Sequence, residues 1–141
     1  MPVQWTEDLA VGVAELDEQH RELFAAVAAL RDSMRAGSVR GAGATVHYLE
    51  RYVREHFAAE ERRMAAAGCS GLEAHRLVHR AFAAELDRRM VEFDRRGATA
   101  SFVLDLSEWL GAWLREHVQG VDREMARELT ARTQRRAAAP R

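Results

Sequence analysis

The sequence predicts an all-α protein: an up-down-up-down antiparallel four-helix bundle preceded by an extended N-terminal arm. Three observations carry this. The only prolines are Pro2 and Pro140, so nearly the whole chain is free of the strongest helix breaker. Alanine, leucine, arginine and glutamate, all good helix formers, dominate the composition. Apolar residues recur at helical spacing in four stretches separated by short glycine-containing turns.

The arm runs from Met1 to Gly12, with Trp5, Leu9 and Val11 as its expected anchors. Asp17 is placed as the N-cap of a first helix reaching about Ala36, with Leu16, Leu23, Phe24, Val27, Leu30 and Met34 as its apolar positions. Gly37, Gly41 and Gly43 are expected to break it. A second helix, roughly Ala44 to Ala67, carries Val46, Leu49, Val53, Phe57 and Met64. Gly68 and Gly71 enclose a turn, and a third helix from Leu72 to Arg96 carries Phe82, Leu86, Met90 and Phe93 before Gly97 stops it. The fourth starts near Thr99 with Phe102, Leu106, Trp109, Leu110 and Trp113, and continues past Gly120 until it frays at about Thr133. Helices of about 20 residues span about 30 Å, and loops this short force neighbours to run antiparallel. One domain over residues 1–132 and a disordered tail over 133–141 follow.

Composition excludes several functions. With 141 residues, 48% hydrophobic and 30% charged, the chain suits one globular core. Net charge is −1, with both signs interleaved, so no nucleic-acid partner is expected. Every one of the 21 cationic side chains is arginine, which removes lysine-based phosphate grips and Schiff-base chemistry. The single cysteine, Cys69, can form neither an internal disulfide nor a thiolate metal site and reads as a spectator. Without a signal-like N-terminus or a run of about 18 apolar residues, a cytoplasmic protein with no membrane contact is expected.

The informative residues are polar ones in apolar stripes. His20 lies between Leu16 and Phe24 at four-residue steps; His56 and Glu60 fill the steps between Val53 and Met64; His75 and His79 continue from Leu72; His117 follows Trp109 and Trp113. A lone core histidine is usually satisfied by a backbone carbonyl. Five histidines and a glutamate on four core stripes would each need a separate partner, because burying them unpaired costs several kcal/mol. One metal centre satisfies them together. Residues four apart on a helix differ by about 40°, so His56 with Glu60 and His75 with His79 can chelate from one side. His47, nine residues before His56, lies about 180° round the helix and should face solvent. Glu61 reads as a solvated charge. There is no HExxH run, which argues against a zinc protease.

The run Asp17-Glu18-Gln19-His20, the run His56-Phe57-Ala58-Ala59-Glu60-Glu61, the pair His75 and His79, and Trp113-Leu114-Arg115-Glu116-His117 followed by Asp122 resemble the signature of the bacterial hemerythrins. The resemblance spans about Trp5 to Asp122 and fills all seven ligand positions of that family in order. Asp122 rests on the resemblance alone. Five residues after His117, it would lie about 140° away on an ideal helix, where Glu124 is better aligned; a bend or overwinding at Gly120 would reconcile it.

What the resemblance implies is two iron ions, cycling between Fe2+ and Fe3+, bridged by Glu60, Asp122 and a solvent-derived oxo or hydroxo group. His75, His79 and His117 would complete one iron, and His20 and His56 the other. Eleven of about twelve octahedral positions are then filled, leaving one open for dioxygen on the two-histidine iron. Phe24, Phe57, Trp113 and Leu114 would wall that position. The implied function is reversible dioxygen binding for storage, delivery or supply, by a monomer that is not an enzyme. The alternatives are an oxygen or redox sensor, and a di-iron enzyme acting on peroxide or nitric oxide.

Overall fold

A computed structural model describes residues 4–35, 37 and 39–138. Met1 and Pro2 of the expected arm, the expected helix end at Ala36, and Pro140 lie outside the described residues. The helices are α1 (Ala14–Arg35), α2 (Val39–Ala67), α3 (Leu72–Arg96), α4 (Ala100–His117) and α5 (Arg123–Ala138). A π-helical turn, Val118–Asp122, joins α4 to α5, and backbone angles stay helical on both sides of it. The two therefore form one long fourth helix of the bundle. No strand occurs among the described residues. Helix α1 packs on α2 and α4, and α2 on α3.

Three boundaries differ from the sequence reading. Helix α1 begins three residues before Asp17, which is therefore not its N-cap. Instead Asp17 turns back along the arm, accepting hydrogen bonds from the backbone N–H of Val11 at 2.8 Å and Gly12 at 3.3 Å. Leu9, fully buried, and Trp5, under the Arg21 guanidinium at 4.2 Å, complete the arm's attachment. Helix α2 starts at Val39, so Gly41 and Gly43 lie inside it. Each glycine costs a helix about 1 kcal/mol, but Ala42 is fully buried and leads the apolar face of Val46 and Leu49, and that packing wins. Helix α5 continues past Thr133 to Ala138, where Arg135 and Arg136 in its last turn suit the negative end of the helix dipole.

The expected ends elsewhere hold. Thr99 caps α4 by accepting from the backbone N–H of Phe102 at 3.2 Å. Gly97, at φ +75°, closes α3 in a conformation that side chains rarely adopt.

The apolar core is in two parts. The larger holds Leu23, Phe24, Val27, Val53, Phe57, Phe82, Leu110, Leu114 and Val118 among others. The smaller holds Leu16, Met64, Cys69, Met125 and Leu129. Each long helix of the bundle crosses from one cluster to the other at a histidine or carboxylate: α1 at His20, α2 at His56 and Glu60, α3 at His75 and His79, and the fourth between His117 and Asp122. Packing thus leaves one polar layer across the bundle.

Candidate metal centre

That polar layer is closed to solvent. Glu60, His20 and Asp122 are 0% exposed, and His56, His75, His79 and His117 are each 4% or less. The two carboxylates split their oxygens between two groups of imidazoles. Glu60 Oε1 faces the Nε2 atoms of His56 at 2.7 Å and His20 at 3.4 Å, while Oε2 faces those of His75 and His79, both at 3.1 Å. Asp122 Oδ2 faces His20 Nε2 at 3.1 Å, and Oδ1 faces His117 at 3.0 Å and His75 at 3.2 Å. Two overlapping ligand sets result: Glu60, His75, His79, His117 and Asp122, and His20, His56, Glu60 and Asp122, with the donor atoms of each set within 4.8 Å of one another. The structure therefore brings together all seven residues singled out as ligands.

The donor geometry fits metal ions better than hydrogen bonds. Both Asp122 oxygens are buried without a hydrogen-bond partner, although three imidazole nitrogens lie within 3.2 Å of them. The Nε2 atoms of His79 and His117 face each other at 3.3 Å. Ligand atoms about 2.1 Å from one metal sit about 3 Å apart, and a cation between such nitrogens satisfies both. Imidazole and carboxylate together suit a first-row transition metal such as iron.

Without a metal the cluster is strongly polarised. Burial pushes the His20 and His75 imidazoles down, but the close approach and negative charge of the Asp122 and Glu60 carboxylates outweigh it and hold both up at about 9. His117 is raised by the same balance. Burial pushes the two carboxyls up, and the surrounding imidazoles overcome it and hold both well below the usual range.

Asp122 reaches this layer because the chain between it and His117 makes the π turn. The turn takes an extra residue per hydrogen-bonded loop and so widens the helix, rather than overwinding it. A Cβ at Gly120 would meet nothing within 4 Å, so glycine there is not a steric requirement.

The rings are steered by neighbours that sequence reading passed over. Gln19 Oε1 lies 2.6 Å from His56 Nδ1. Glu61 is not simply a solvated charge: its Oε2 lies 3.0 Å from His79 Nδ1 and its Oε1 accepts from Arg76 Nε at 3.2 Å. The available signal was position, since Gln19 adjoins His20 and Glu61 adjoins Glu60. His47 is exposed, with its ring edge-on to Phe93, and takes no part.

Of the four expected pocket walls, Phe57 stacks on His79 with ring centroids 3.8 Å apart, and Trp113 stacks on His117 at 4.3 Å. Phe24 and Leu114 are buried in the larger cluster, one turn from His20 and His117 respectively. Cys69 is buried in the smaller cluster, and burial pushes its thiol up.

Fold and site together define an all-α bundle with a buried, histidine-rich cluster able to hold metal. Residues 11–129 match the family described as the hemerythrin HHE cation binding domain, and the chain belongs to the hemerythrin family. It is similar to a bacteriohemerythrin of Stenotrophomonas maltophilia (strain R551-3), 29% identical over 128 residues, covering 90% of this chain and 81% of that one. It is also similar to a myohemerythrin of Riftia pachyptila, 30% identical over 121 residues, covering 86% and 88%. A crystal structure of a hemerythrin mutant superposes with a TM-score of 0.81 at 25% identity, over 92% of this chain and 99% of the other. Among the described residues no helix is long and apolar enough to cross a membrane.

Proposed function

We propose that this chain binds dioxygen reversibly at a di-iron centre held by His20, His56, Glu60, His75, His79, His117 and Asp122, as a cytoplasmic monomer whose working unit is residues 1–132. The observation that carries the reading is the division of both carboxylates between three imidazoles on one side and two on the other. Glu60, His75, His79, His117 and Asp122 would hold one iron and His20, His56, Glu60 and Asp122 the other, so the two-imidazole set would offer fewer protein donors and leave room there for dioxygen. Family membership supports the same reading.

A pair of irons supplies, when bound, two electrons to dioxygen and recovers them on release. The chain's own part is to hold and to exclude. Five imidazoles against two carboxylates make a neutral-donor-rich site, and the four-sided packing fixes each ring before any metal arrives. Phe24, Phe57, Trp113 and Leu114 keep water from the reacting face, which slows the side reactions that consume a bound ligand.

Aerating the reduced protein and then flushing it with argon tests the reading. A charge-transfer spectrum that appears with oxygen and disappears without added reductant is the expected result. Turnover of peroxide or nitric oxide with no reversible spectrum would place the chain among di-iron enzymes instead.

A further inference from the structure

Beyond the seven donors, the structure treats the two metal positions differently. Of the five imidazoles, the Nδ1 atoms of His20 and His117 have no hydrogen-bond partner. His56, in the two-imidazole set, is met at Nδ1 by the Gln19 amide oxygen at 2.6 Å. His79, in the three-imidazole set, is met by the Glu61 carboxylate at 3.0 Å. Each set therefore contains one ring held from behind through a polar side chain, one neutral and one charged. Glu61 is itself fixed by Arg76, whose Nη1 bonds Glu73 at 2.5 Å, so the arrangement runs from the surface of α3 to the ligand.

An acceptor at Nδ1 keeps the proton on that nitrogen and leaves the Nε2 lone pair free for a metal. A carboxylate does more than an amide. Its charge makes the imidazole a stronger donor and stabilises the cation beyond it.

We infer that Glu61 and Gln19 are positioning residues for His79 and His56, and that the charge on one and its absence on the other make the two metal positions unequal, with the His79 position retaining its ion more strongly than its additional imidazole alone provides. The inference rests on the binuclear reading above.

Co2+ is a suitable probe, because its paramagnetism displaces the exchangeable Nδ1–H proton signals of His79 and His56 and lets each position be followed separately. Apo protein is titrated with Co2+ as wild type, Glu61→Gln and Gln19→Glu. Removing the Glu61 charge should weaken the His79 position by about 10- to 100-fold and change the His56 position by no more than about twofold. Adding charge at residue 19 should strengthen the His56 position alone. Glu61→Gln should keep the His79 Nδ1–H signal, because an acceptor remains, and Glu61→Ala should lose it to solvent exchange. Both residues are partly exposed, and apo helicity by circular dichroism provides the folding control. Equal affinities in wild type and Glu61→Gln, or an equal loss at both positions, would overturn the inference while leaving two bound ions intact. A wild type that takes up fewer than two Co2+ would overturn the binuclear reading and this inference with it.

Discussion

Asp122 Oδ1 lies 3.0 Å from His117 Nε2, although the two residues are five apart on what would otherwise be a single helix. On an α-helix that interval points them about 140° apart. The π turn between them absorbs one residue and aims both side chains into the polar layer, while Met125 and Leu129 still reach the smaller apolar cluster. Widened turns of this kind are concentrated at functional sites.

Gly120 sits in that turn without needing to be glycine: its backbone is not left-handed and a side chain there meets open space. Gly120→Ala should therefore raise stability by about 0.4–1 kcal/mol through helix propensity and a less flexible unfolded chain. Metal content should not change. A loss of metal on this substitution, measured by elemental analysis beside thermal melting, would mean that the turn depends on glycine after all.

Ligand substitutions should separate core histidines from the surface one. His56→Ala and His79→Ala each remove a nitrogen from the buried layer, and both should lower iron from two per chain and lower the melting temperature, since metal binding contributes to folding. His47 is exposed and touches only the edge of Phe93. His47→Ala should keep full iron and stay within about 0.5 kcal/mol of wild type. Equal damage at residue 47 would contradict the helical-face argument.

Periodicity made much of this legible, because a leucine-rich stripe exposes any histidine placed within it. His20, His56, Glu60, His75, His79 and His117 are readable that way, whereas Asp122 is not, since straight-helix geometry turns it aside and only the resemblance assigns it. The helix starts at Ala14 and Val39 depart from the sequence expectation for a shared reason. Asp17 and the glycines at 41 and 43 are local signals for a cap and a break, and tertiary packing of Leu16 and Ala42 overrides both. Gln19 and Glu61 escaped because each acts across to a ring on another helix, α2 for Gln19 and α3 for Glu61, and no spacing within one helix reports that.

The apo protein should lose stability as pH rises. His20 and His75, held up at about 9 in the folded chain, return to about 6.5 when unfolded. Their contribution is therefore complete below about 6.5 and is lost as pH climbs through about 9. Glu60 and Asp122 are shifted the other way, so their contribution is complete above their unfolded values of about 4 and is lost progressively as pH falls below them. Calorimetric melting of apo protein should fall between about pH 6.5 and 9. The metal-loaded protein, whose rings have already given up those protons, should not show that fall. Metal uptake near neutrality should also release protons, detectable with an indicator dye. An apo melting temperature that is flat across this window would mean the carboxylates do not hold the imidazoles charged.

Leu114→Ala tests whether the apolar packing beside the ligand layer keeps water out. It is 2% exposed, lies in the larger apolar cluster, and precedes His117 by one turn, so it stands between that cluster and the ligand layer. Leu114→Ala should cost about 2–5 kcal/mol, as buried leucine truncations do, but no donor atom is removed and two irons should remain. The space left behind adjoins polar ligands, and water that finds polar partners can occupy such a space. Oxidation of the oxygenated protein should then accelerate, because exclusion of water is what slows it. Stopped-flow mixing of the reduced protein with oxygen, followed by hours of spectral monitoring, compares wild type and variant at equal iron content. An unchanged oxidation rate would remove Leu114 from the oxygen pocket and leave it a core residue only.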